Sequence, residues 1–244
     1  MHSASGLNSE TAGTSRTRTT SRTAAAYLEA IYRLQEISGL VRTSKLALQM
    51  RVAPPSVTGI IRKLEREGLV MHEPYRGVKL TDEGRRVALG EIGKHRLAEQ
   101  LLVDMLHMDW ARVHGEARRL QCGISNEIIT PLEKALGHPR TCPHGNPIPT
   151  KCGGIIEEES ESMTNLRAGE SGVVIKLTNE RPDVLEHLAK IGLRPGAAIE
   201  VREPTSQDEV VVVGGDGKNH TLPWEVASTI KVKRPRPESE HGHR

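Results

Sequence analysis

The sequence predicts a mainly α-helical protein that ends in a small β domain. Three observations carry that prediction. Apolar residues recur at helical spacing between residues 24 and 136. Runs of β-branched residues broken by turn residues follow Gly169. A stretch containing Pro, Gly, Cys and Glu, with neither period, separates the two.

Residues 1–22 are rich in Ser, Thr, Gly and Arg and are expected to form a disordered tail. Residues 23–83 read as one unit. Tyr27, Leu28, Ile31 and Leu34 share a helical face. Thr43 reads as the N-cap of a short helix with Leu46, Ala47 and Met50 inward. After a turn, Pro54 and Pro55 open another helix, where a first-turn proline costs nothing. Val57, Ile60, Ile61 and Leu64 form its buried stripe, and Gly68 ends it. Residues 69–71 and 78–80 read as two strands around the turn 74–77.

Residues 84–137 continue as helices. Thr81, Asp82 and Glu83 cap a long one with Val87, Ile92, Leu101, Leu102 and Met105 inward. After a break at 107–109, Trp110, Val113, Ala117, Leu120 and Ile124 follow at spacings of 3, 4, 3 and 4. That strip suits packing against another helix, in this chain or in a second subunit. A last helix is expected over 126–136. Residues 138–165 read as a loop or linker ending in an acidic run. In 166–232, strands at 173–177, 198–202 and 210–213, a short helix at 182–191 and a hairpin turn at 214–217 predict a small β-barrel. Residues 233–244 form a polar tail.

Composition narrows the function. The 34 Lys and Arg against 31 Asp and Glu give a net charge of only +3, so any basic footprint is local. Phe is absent, with two Trp and three Tyr, which disfavours base-stacking binders of single strands. No apolar run reaches the ~18–20 residues that span a bilayer, and no apolar signal core is read at the N-terminus. Three cysteines suit no disulfide framework, and a reducing cytoplasm is the expected location.

The local basic footprint falls on residues 43–80. The second helix of the helix-turn-helix presents Ser56, Thr58, Arg62, Lys63 and Arg66 away from its apolar stripe, and the wing carries Arg76 and Lys79. Small polar residues at the start of such a helix can approach base edges, while Arg and Lys neutralise phosphates. The bland alternative is a solvated face in a protein-interaction module. A second constellation is His95 and Glu99, four apart on one helical face, with His114 on the next helix. Imidazole plus carboxylate suits Fe(II), Mn(II) or Zn(II), and the bland reading is a surface His–Glu pair. His138, Cys142 and His144 fit no four-ligand zinc spacing, so their segment is expected to be a turn-rich loop.

Several runs together resemble the diphtheria toxin repressor family of metal-dependent regulators. They are Tyr27-Leu28-Glu29-Ala30-Ile31-Tyr32, Pro55-Ser56-Val57-Thr58, Leu64-Glu65-Arg66-Glu67-Gly68-Leu69-Val70, Lys94-His95-Arg96-Leu97-Ala98-Glu99 and Gly145-Asn146-Pro147-Ile148-Pro149. The resemblance implies a winged-helix DNA-binding domain, a helical dimerisation domain and a C-terminal SH3-like domain. It also implies a ferrous or manganous co-repressor and a homodimer on a palindromic operator. By position, Thr43, Ser44, Lys45, Ser56, Lys63 and Arg66 fall where the family touches phosphates, and Pro55, Ser56 and Gly59 where it meets bases.

His95, Glu99 and His114 match ligands of the family's ancillary metal site, and Glu180 lies near a fourth. The primary site is altered: its positions read Ala26, Arg118, Gln121 and Cys122, while Glu29 stands where the manganese branch has a ligand. Three readings stay open there. A guanidinium occupies the vacated cation site, or Cys122 serves with Cys142 and Cys152 in an iron–sulfur or thiol redox site, or Cys122 is a small buried hydrophobe.

The sequence therefore points to a dimeric, metal- or redox-responsive DNA-binding repressor and not to an enzyme. A thiol-dependent enzyme using Cys122 and His114 meets a geometric obstacle. The two are eight residues apart, about 12 Å along a helix, too far for direct proton transfer. An interaction module working through the β domain is the third class.

Overall fold

The computed structural model describes residues 21–150, 153–204 and 209–235. The expected tails therefore lie outside the described residues except at their inner ends, and so does Cys152. At the N-terminal end the helix starts two residues before Ala24. α1 spans Arg22–Ser38, and the Ser21 hydroxyl caps it by accepting from the Ala24 amide.

α2 (Thr43–Met50) and α3 (Pro54–Arg66) form the helix-turn-helix, and β1 (Val70–Glu73) pairs antiparallel with β2 (Gly77–Leu80) as the wing. Thr43 is the first helical residue rather than the cap, a position taken by Arg42 without a side-chain cap bond. Arg51 turns the chain between α2 and α3 in a left-handed conformation. Leu28, Ile31, Leu46, Ile61 and Leu64 are fully buried in one core with Val57, Val70 and Val78. Burying each such side chain is worth roughly 1.5–3 kcal/mol.

α4 (Asp82–Asp104) is capped by Thr81, as its Thr-Asp-Glu start predicts. Its 23 residues run for about 35 Å. Ala88, Leu89 and Ile92 in its first half belong to the winged-helix core, and Leu97, Ala98 and Leu102 in its second half belong to a helical core with Val113, Ala117 and Leu132. Met105, expected inward, is exposed, because the helix ends one residue before it. The expected strip from Trp110 is also cut short. α5 spans only Val113–Gln121, since the Asp109 carboxylate accepts from the Ala111 amide and holds a turn ahead of it. Trp110 packs on the β domain instead, and Leu120 faces outward. α6 (Asn126–Ala135) completes the helical part.

The C-terminal domain is a six-stranded antiparallel sheet in the order β3-β8-β4-β5-β6-β7. Its elements are β3 (Glu161–Ser162), β4 (Ser171–Leu177), α7 (Pro182–Lys190), β5 (Ala198–Pro204), β6 (Glu209–Val213), β7 (Asn219–Pro223), α8 (Trp224–Ala227) and β8 (Ile230–Lys233). Val174, Leu177, Leu185, Val201, Val212 and Ile230 meet in its core. β3, β7 and β8 go beyond the three expected strands. Two residues are too few for a period, and β7 is mostly polar. The 138–165 segment has little regular structure, yet it is no solvated linker: Cys142, His144 and Asn146 are buried.

Candidate metal centre

α4 projects His95 and Glu99 from successive turns of its buried face, both with essentially no solvent exposure. The turn before α5 delivers His114, the second residue of that helix. Glu180 follows β4, just ahead of α7. A loop supplies two further groups. Cys142 accepts through its carbonyl from the Gly145 amide and donates its own amide to Asn146, which closes a tight turn. Gly145 sits there at φ +81°, and a Cβ on it would lie 2.0 Å from the Ile175 carbonyl oxygen, so only glycine lets the turn meet β4. The Leu177 amide donates to the His144 carbonyl at 2.9 Å, and the Asn146 amide group donates to the Leu177 carbonyl at 3.0 Å.

The donors converge on one point. Glu99 Oε1 lies 3.1 Å from His95 Nε2, 3.0 Å from His114 Nδ1 and 3.5 Å from His144 Nδ1. Glu180 Oε2 lies 3.3 Å from His114 Nδ1. Two sets therefore have ligand atoms all within 4.8 Å of one another: His95, Glu99, His114 and Glu180, and Glu99, Cys142, His144 and Glu180. Two donors ~2.1 Å from one ion and at a right angle stand ~3.0 Å apart, which matches the inner His–Glu–His triangle. Glu99 Oε2 and His95 Nδ1 are buried without any partner, so the carboxylate has an oxygen to give. His144 Nε2 donates to the Trp110 carbonyl at 2.8 Å, which points Nδ1 at Glu99: protonated, it donates to the carboxylate, and deprotonated, it offers a lone pair to an ion. The residues present fit a divalent ion.

The electrostatics agree. Burial alone would raise the Glu99 pKa, but hydrogen bonds from His114, His144 and His95 outweigh it and hold the carboxyl far below the usual range. Burial alone would lower His144, yet its bond to Glu99 and the charges of Glu99 and Glu180 lift it above its ordinary value. Burial pushes the Cys142 thiol well up, with Glu99 and Glu180 adding to the rise. Only a cation would make it a thiolate.

The altered site sits next door. The buried Glu29 carboxylate is 3.0 Å from Arg33 on its own helix and 3.7 Å from Arg118 on α5. Gln121 donates to the Glu91 carbonyl at 3.0 Å. Cys122 is exposed, with its thiol directed at the Arg118 carbonyl, which removes the one of its three readings that made it a small buried hydrophobe. Among the described residues Cys122 belongs to neither donor set, whereas the buried Cys142 belongs to one. His144 is the candidate donor that sequence reasoning passed over. Its only signal is the Cys-x-His spacing, and its partners come from distant elements.

On the winged helix, Ser44, Lys45, Pro55, Ser56, Thr58, Gly59, Arg62, Lys63, Arg66 and Arg76 are exposed, and Thr43 and Lys79 are half-buried. Lys63 stands 3.9 Å from Glu67, and Arg76 and Lys79 both pair with Glu73. Tyr75, fully exposed at the wing tip, adds an aromatic ring that the sequence reading left out.

A winged helix bearing exposed cations, joined through one long helix to a buried donor cluster that an SH3-like domain completes, defines the class of metal-dependent DNA-binding repressors. Family models match most of the described chain. Residues 19–78 match the iron dependent repressor N-terminal DNA binding domain, 81–150 its metal binding and dimerisation domain, and 162–234 the FeoA domain. The iron-dependent repressor IdeR of Mycobacterium tuberculosis is 33% identical over 220 residues, which covers 85% of this chain and 95% of that one. The diphtheria toxin repressor of Corynebacterium diphtheriae is 29% identical over 217 residues, covering 85% and 95%. A solved manganese-dependent transcriptional repressor in complex with manganese superposes with a TM-score of 0.80 at 32% identity, covering 87% of this chain and all of that one. The chain belongs to the diphtheria toxin repressor family of iron- and manganese-dependent transcriptional repressors.

Proposed function

We propose that the protein is a homodimeric transcriptional repressor that binds a palindromic operator under the control of one divalent ion per chain, iron or manganese, in the cytoplasm. The observation that carries this reading is the convergence of His95, Glu99, His114 and Glu180, with the second oxygen of the buried Glu99 carboxylate left without a partner. These four are the proposed ligands, with Cys142 and His144 as the adjoining set. The two sets share both carboxylates, and we take them as one centre for a single ion. When bound, that ion supplies a charge-neutralising cross-link between helices and β domain, with no redox step. The relatives are repressors, and no residue here is assigned a catalytic role.

Residues 23–83 take the DNA-binding part, 84–137 the metal-binding and dimerisation part, and 166–232 the SH3-like part. Pro55, Ser56, Thr58 and Gly59 at the start of α3 are proposed to meet bases. Thr43, Ser44, Lys45, Arg62, Lys63, Arg66, Arg76 and Lys79 are proposed to meet phosphates. Met105, Leu106, Leu120 and Ile128 leave apolar surface on the helical part, which suits a second copy. A mononuclear ion is preferred over an iron–sulfur cluster because Cys122 stands outside both donor sets.

The test is binding of labelled operator duplexes by chelator-stripped protein, with and without Mn²⁺, across a salt series. Binding should strengthen with the ion and fall with salt. Lys63→Ala should weaken all duplexes alike and lower the salt slope by about one. Equal affinity with ion and with chelator would contradict metal control.

A further inference from the structure

Glu180 is claimed twice. Its Oε2 faces His114 Nδ1 at 3.3 Å inside the donor cluster, and the same oxygen accepts from Arg33 Nη1 at 3.4 Å. Its Oε1 accepts from Asn146 at 2.9 Å, so Oε2 is the oxygen at issue. Arg33 divides itself in turn, with Nη2 on Glu29 at 3.0 Å. Glu29 also takes Arg118 from α5 at 3.7 Å. One line of charges thus runs from α5 through α1 to the β domain and stops at the metal centre.

A guanidinium keeps its charge at any usable pH and offers no lone pair. It can hold a carboxylate in an ion's place, but it cannot share the oxygen with a dication without repulsion. Arg33 has an alternative partner in Glu29, and room to shift. A cleft of about 560 Å³, lined by Ala26, Glu29, Gln49, Arg118 and Arg181 among others, opens beside it. The Arg118–Glu29 pair involves none of the proposed ligands and needs no ion.

We infer that Arg33 and the divalent ion compete for Glu180. Without the ion, Arg33 ties the β domain to α1 of the winged helix. The ion takes Glu180 over to α4 and α5, and Arg33 falls back on Glu29, while Arg118–Glu29 keeps α1 against α5 in both states. Arg33 is then a positioning residue that tunes ion affinity and carries ion loading to the DNA-binding half.

This inference rests on the metal-centre reading, and calorimetric titration of chelator-stripped full-length protein with Mn²⁺ separates the two. No binding by the unaltered chain sinks the metal-centre reading itself. Given binding, Arg33→Met should tighten it at least about fivefold, because a competing charge is gone. Glu29→Gln should weaken it about threefold or more, because Arg33 loses its alternative partner and presses on Glu180. The double variant should bind more nearly like Arg33→Met than like Glu29→Gln, since the stronger of Glu29's two pairs is with Arg33. Thermal melting shows whether each variant folds. A folded Arg33→Met with unchanged or weaker binding overturns the competition, and so does tighter binding by Glu29→Gln. Should Arg33→Met fail to fold, Glu29→Gln alone still decides.

Discussion

Glu99 and Glu29 are both buried carboxylates where helices meet, yet their company differs. Glu99 is surrounded by imidazoles and keeps one oxygen without a partner. Glu29 is held by two guanidiniums. An imidazole can give up its proton and turn a lone pair to a metal, whereas a guanidinium only donates. Two sites in one chain, each centred on a buried carboxylate, thereby differ in what they can hold: one offers donors to a cation, and the other already pairs with guanidiniums.

The comparison breaks first at its centre. Glu99→Gln should reduce divalent-ion affinity by roughly 100-fold or more, because it replaces the carboxylate shared by both donor sets with a neutral amide. Equilibrium dialysis against Mn²⁺ measures it, and near-normal affinity would show that the cluster is only a hydrogen-bonded core. Gly145→Ala comes next. The strained φ and the 2.0 Å approach to Ile175 should lower stability by about 2–3 kcal/mol and withdraw Cys142 and His144, read by denaturant unfolding with and without ion.

Acidity then tells the two sites apart. The raised pKa of His144 gives the chelated protein stability that is full below the ordinary value of 6.5 and is lost as pH rises through the raised one. The ion needs neutral imidazole, so its affinity should change the opposite way and grow over the same range. Melting curves with chelator and with Mn²⁺ should therefore diverge as pH rises, and parallel curves would detach His144 from the centre. The smallest effect belongs to Arg118→Ala. That side chain is half exposed, so melting should register no more than about 1 kcal/mol.

Much of this was legible in the sequence, for a physical reason. The helix-turn-helix, the wing and the His95–Glu99 pair are local patterns, with periods or spacings within one element. His114 and Glu180 required the family resemblance, because nothing near them in sequence marks them as ligands. His144 escaped, and Cys142 was grouped with Cys122 and Cys152 instead, because their meeting with Glu99 and Glu180 depends on contacts with α4 and with a residue after β4, across the fold. Spacing within the loop fits no four-ligand zinc pattern, while the glycine turn that seats the loop on β4 was read only as a turn. The double role of Glu180 was likewise hidden, since Arg33 lies 147 residues away in the chain.

We propose that one site takes an ion and its neighbour holds guanidiniums in place of one. Calorimetry of chelator-stripped protein with Mn²⁺ tests it most directly. One ion should bind per chain, lost in His114→Ala and retained in Cys122→Ser. Two tight ions per chain, or binding that survives His114→Ala and vanishes in Cys122→Ser, would contradict it.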